Sequence, residues 1–105
     1  MSNNHHNLQQ LEDLIRLTKK GDPASLTELR NQLGKTSKEI ALKVGVSEDQ
    51  FKCWERGEQQ PSGKHYSLWK IKLSDCIDEE ISALIGTENP ELVTHFWEIL
   101  WRLDD

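Results

Sequence analysis

Apolar residues recur at helical spacing along almost the whole chain, and no segment alternates with the period of a strand. Leu8, Leu11, Leu14, Ile15 and Leu17 or Thr18 outline a first helix. Lys19 and Lys20 suit its negative end, and Gly21 can stop it. After Asp22-Pro23, where proline fits a first helical turn, Leu26, Leu29 and Leu33 form a second stripe ended by Gly34. Ser25 with Glu28 reads as a capping box for that helix, because a hydroxyl and a carboxylate three residues apart can satisfy each other's free backbone donors. Ile40, Ala41 and Val44 mark a third helix behind a second box, Thr36 with Glu39. Phe51 and Trp54 are the inward pair of a fourth, opened by Ser47 with Gln50.

The stretch from Gly57 to Gly63 reads as a loop by composition. Beyond it, Tyr66, Trp69 and Leu73 share one helical face, which Leu68 and Ile71 widen. Ser74-Asp75 can cap a further helix carrying Ile77, Ile81, Leu84 and Ile85, or lie within a single longer one; the pattern allows both. The last start is sharper: Asn89 as cap, Pro90 in the first turn and Glu91 against the dipole. The helix that follows holds Leu92, Val93, Phe96, Trp97, Ile99, Leu100, Trp101 and Leu103. It is apolar on more than one side and is expected to bury most of its circumference.

A chain of 105 residues suits one domain with a modest core, and 35% hydrophobic with 30% charged residues is an ordinary globular balance. The expected class is all-α. No apolar run has membrane length, and the opening residues lack the basic start and apolar stretch of a signal peptide, so a cytoplasmic location is expected. Cys53 and Cys76 are expected to be reduced thiols. His65 and His95 stand alone, so neither metal nor cofactor is expected. No phosphate-binding glycine loop or paired catalytic acids are evident, and an enzyme is not expected.

Charge divides the chain. Residues 1–25 are neutral. Residues 26–73 carry nine basic and six acidic residues, and residues 74–105 carry one basic and nine acidic. A basic middle before an acidic tail suggests two tasks.

The sharpest signal is two short capped helices, near residues 37–43 and 48–55, joined by Val44-Gly45-Val46. Gly45 permits a left-handed turn, small Ala41 allows a close crossing, and Val46 and Phe51 can fill the angle. This is a helix-turn-helix pattern, whose second helix enters the DNA major groove. Residues 26–73 resemble the phage-repressor-like (XRE/Cro) helix-turn-helix family. The matching features are Leu29, Arg30 and Gly34; Thr36, Glu39, Ile40 and Ala41; Gly45, Val46 and Ser47; and Trp54, Glu55, Gly57 and Pro61.

The resemblance implies a compact helix bundle at residues 22–73, with an N-terminal helical extension (1–21) and an acidic C-terminal helical extension (74–105). It implies an ion pair between Arg30 and Glu55. It also implies a DNA-facing set: Thr36, Ser37, Lys38, Ser47, Glu48, Asp49, Lys52, Cys53, Arg56 and the loop through Lys64. Double-stranded DNA is thus the expected partner, and a sequence-specific transcriptional regulator the expected function.

Glu48 and Asp49 are unusual beside a polyanion. They can offset the helix dipole, accept from a cytosine amino group, or mark a domain that has left DNA; we take the first two together. The last helix can fold back onto the N-terminal helix of the same chain or pair with its twin in a second subunit. We take the homodimer, with Phe96, Trp97, Leu100 and Trp101 as the expected partner interface, and the acidic tail can equally hold another protein. The competing function is a protein-interaction module, antitoxin-like or factor-sequestering, that does not touch DNA.

Overall fold

The computed structural model describes residues 8–86 and 89–103, and they form six helices with no strand among them: α1 (Leu8–Lys20), α2 (Pro23–Gln32), α3 (Ser37–Val44), α4 (Glu48–Glu55), α5 (Gly63–Ile85) and α6 (Pro90–Leu103). Four of them pack on α5, namely α1, α2, α3 and α6, while α4 sits on α2 and α3. Among the described residues no helix is long and apolar enough to cross a membrane. His5 and His6 lie outside the described residues.

The core follows the apolar stripes. Leu11, Leu14 and Ile15 of α1 meet Leu26 and Leu29 of α2, and the buried face of α5 runs from Trp69 through Leu73, Cys76 and Ile77 to Ile81. Phe51, fully buried, stands edge-on to Trp69 at 5.2 Å between ring centroids, and Trp54 lies 6.2 Å from Phe51. Such edge contacts add to the burial of the rings themselves. Burial also pushes the Cys76 thiol above its ordinary range.

Two sequence expectations change and one open alternative is decided. The N-cap of α2 is Asp22, not Ser25. Asp22 accepts from the Ser25 backbone N–H and hydroxyl, which holds its carboxyl below the usual range, and Glu28 accepts from Gln32 instead. Pro23 is the reason: it needs no backbone donor and its fixed φ suits the first helical position, so the helix starts one residue after Asp22. At Ser74-Asp75 the helix does not stop. α5 runs unbroken for 23 residues, so residues on both sides of the 73/74 boundary share one helix. Finally, Ile71 is half exposed rather than part of the inner face.

The last helix takes the intrachain alternative, without the full burial expected of it. α6 folds back on α1 and α5 of the same chain, held by Trp97 Nε1 donating to Asp78 Oδ1 and by Lys19, which donates to the Trp101 carbonyl and lies over the Trp101 ring. Val93 and Leu100 turn inward, whereas Leu92, Ile99 and Trp101 remain 51%, 44% and 41% exposed. The expected burial of most of its circumference does not occur within one chain. α1 and α5 cover one side, and an apolar flank is left over. The expected contribution of Leu103 lies outside the described side chains.

Candidate nucleic-acid interface

Local signals build the site from α3 and α4. Thr36 caps α3 by accepting from the Glu39 backbone at 3.1 Å, while Glu39 accepts from the Thr36 backbone at 3.0 Å. These bonds hold the Glu39 carboxyl below the usual range. α3 ends at Gly45, whose φ of +92° is the left-handed conformation a side chain would oppose. Its N–H and that of Val46 both return to the Ala41 carbonyl, which turns the chain sharply into α4. Ser47 then caps α4 through the Gln50 N–H. The Gln50 side chain does not complete a box; it donates to Gln59 at 2.7 Å, tying α4 to the loop beyond it.

With Phe51 and Trp54 buried, the helical period leaves Asp49, Lys52, Cys53 and Arg56 along the opposite side of α4. That stripe faces solvent, with Glu48 at its edge.

Behind it stands a brace. Arg30 Nε lies 2.6 Å from Glu55 Oε2, Nη2 donates to Oε1 at 3.3 Å, and Nη1 donates to the Lys35 carbonyl at 2.8 Å. Ser37 also donates to Glu55 Oε1, at 2.9 Å. One carboxylate therefore joins α2, α3 and α4, with 7% of the Glu55 side chain and 12% of the Arg30 side chain exposed. A forked guanidinium–carboxylate pair at this burial fixes orientation as well as distance.

The ten residues expected to face DNA thus divide by role. Thr36 and Ser47 spend their acceptors on caps, and Ser37 spends its donor on Glu55. Lys38 and Lys64 are exposed and have no carboxylate at ion-pair distance among the described residues. Lys52 lies 3.2 Å from Glu48, one turn away. Arg56 lies 2.9 Å from Glu58 and 3.7 Å from the Cys53 sulfur. His65 lies against the Trp54 ring at 5.5 Å, and its Nδ1 is 3.2 Å from the Ser62 hydroxyl. No group of three or more potential metal ligands occurs among the described residues.

Glu58 was not among the residues singled out from sequence. α4 ends in a left-handed Gly57, φ +74°, with Gly57 N–H bonded to the Trp54 carbonyl and Glu58 N–H to the Cys53 carbonyl at 2.9 Å. This paired closure of a helix end folds residue 58 back under the last turn, beside Arg56. The order Arg-Gly-Glu at a helix end is the signal that could have found it.

Of the four residues read as a partner interface, Leu100 is 2% exposed and belongs to the core. Phe96 and Trp97 are half-buried, and Trp101 is open. An open groove on α6 is lined by Trp97, Glu98, Trp101 and Arg102.

Comparison of the chain with protein-family models, with curated proteins and with solved structures returns no match.

Proposed function

We propose that this chain is a sequence-specific DNA-binding transcriptional regulator that lays α4 in the major groove. The observation that carries the reading is the solvent-facing stripe Asp49, Lys52, Cys53 and Arg56 on a helix braced from behind by Arg30, Ser37 and Glu55. A helix with its side chains is about 10–12 Å across, which a major groove about 12 Å wide admits. Lys38, Lys52, Arg56 and Lys64 serve as phosphate contacts, and Glu48 and Asp49 as acceptors for a cytosine amino group. A homodimer formed through the exposed flank of α6 would offer two such helices to half-sites about 34 Å apart. Regulation then consists of occupying a promoter or operator.

The test is retention of a mixed-sequence duplex by the full chain at two salt concentrations. Affinity falls as salt rises, and Lys52→Ala and Arg56→Ala each weaken binding and flatten the salt slope by about one. Unchanged binding in the double variant would reject this placement of α4.

One observation favours the competing reading. Two of the four cations on this face are already matched by carboxylates, Lys52 by Glu48 and Arg56 by Glu58. A protein-interaction module of this kind would retain no duplex even at low salt.

A further inference from the structure

The cation at the C-terminal end of the stripe is not idle in the free protein. Arg56 reaches Glu58 Oε1 through Nη2 at 2.9 Å, and the same nitrogen lies 3.7 Å from Cys53 Sγ. The backbone prepares this contact. Gly57 in the left-handed conformation and the Glu58 N–H on the Cys53 carbonyl leave residue 58 little choice of place. Gln59, the next residue, is anchored to Gln50 of α4. The turn therefore brings the backbone of residue 58 beside Arg56, and the rotamers of the two exposed side chains complete the contact.

We propose that Glu58 is a built-in competitor for phosphate, occupying Arg56 until a duplex displaces it and so holding down affinity for arbitrary DNA. This rests on the DNA-binding reading above. A carboxylate and a phosphate present the same geometry to a guanidinium fork, so one excludes the other. Binding to arbitrary sequence is almost wholly phosphate neutralisation, and withholding one of four cations lowers it directly. A duplex that also offers base contacts overcomes the same penalty. The mutual effect is visible in both groups: the hydrogen bond to Arg56 holds the Glu58 carboxyl below its usual range, and Glu58 raises Arg56.

The experiment compares wild type, Glu58→Gln, Arg56→Ala, the double variant and Glu91→Gln on a mixed-sequence duplex across a salt series. Glu91 is an exposed acid on α6 and controls for net charge alone. Remote charges are screened beyond a Debye length of roughly 8 Å at physiological salt. Glu58→Gln is expected to tighten binding roughly fivefold, the scale of an exposed ion pair, and to steepen the salt slope by about one. Its melting temperature should not change. In the Arg56→Ala background the gain should vanish, because Glu58 acts through that side chain. If wild type binds but Glu58→Gln gains no more than Glu91→Gln, or if the gain persists without Arg56, the competitor is overturned and the DNA reading stands. If neither wild type nor Glu58→Gln is retained at low salt, both fall. Retention of Glu58→Gln alone supports both.

Discussion

α4 and α6 make opposite use of aromatic residues. α4 has eight residues, and its two large rings, Phe51 and Trp54, are both buried. Its polar side is also engaged, through a cap at Ser47, the brace at Glu55 and ion pairs at Lys52 and Arg56. α6 has fourteen residues and a higher apolar content, yet it turns only Val93 and Leu100 fully inward and leaves Leu92, Ile99 and Trp101 open. Apolar content alone therefore does not set a helix's burial; how far its neighbours surround it does. α4 lies in the angle between α2 and α3, while α6 rests on one side of α1 and α5. The first arrangement presents a defined polar face, and the second an apolar flank.

The contrast can be broken by substitution. Phe51→Ala should cost most, about 3–5 kcal/mol, because the ring is fully enclosed and the cavity cannot collapse onto Trp69. Urea unfolding measures it. Glu55→Ala should follow at about 3 kcal/mol, since Arg30 would keep a largely buried charge and Ser37 would lose its acceptor. This variant should also lose duplex binding, because the brace behind the stripe is gone. Trp97→Ala should cost less than Phe51→Ala, about 1–3 kcal/mol, although more side chain is removed. It should leave base preference unchanged. Equal losses at residues 51 and 97 would mean that α6 is as enclosed as α4. Thr36→Ala removes one cap of α3 and should cost about 1 kcal/mol.

The smallest effect is one of pH. Burial raises the Asp78 carboxyl above 3.8, and the hydrogen bond from Trp97 opposes this without cancelling it. The native chain then binds a proton at Asp78 more readily than the unfolded chain. This group's contribution to stability therefore rises as pH falls through the native pKa and declines as pH rises. Asp78→Asn keeps an acceptor for Trp97 without the charge. The variant should be slightly more stable than wild type near neutrality, with the advantage shrinking as the pH is lowered toward 3.8. A stability difference independent of pH would contradict it.

Local chemistry was the legible part of the fold. Thr36 with Glu39, Ser47 before α4 and Asn89 before α6, where Glu91 N–H donates to the Asn89 side chain at 2.9 Å, could be read because a cap involves residues two or three apart. The same rule misled at Ser25 with Glu28, where Pro23 fixed an earlier start. It was ambiguous at Ser74-Asp75, because a serine and an aspartate inside a long helix look like a cap when no neighbour is known. The resemblance implied a pair between Arg30 and Glu55, and these side chains do meet, but Ser37 as a third member has no sequence signal. The DNA-facing set on α4 was implied by the resemblance, and the inward places of Phe51 and Trp54 leave Asp49, Lys52, Cys53 and Arg56 on the opposite side. That Lys52 and Arg56 meet carboxylates did not follow, since it depends on rotamers and on the turn at Gly57.

The contrast between the two helices ends in one measurement, a titration of the isotopically labelled full chain with duplex DNA at low salt, followed by backbone amide shifts. The proposal expects shifts gathered at residues 36–38, 47–58 and 64, with α6 unaffected beyond any dimer contact. Shifts confined to residues 90–103, or none at all in a folded sample, would contradict it.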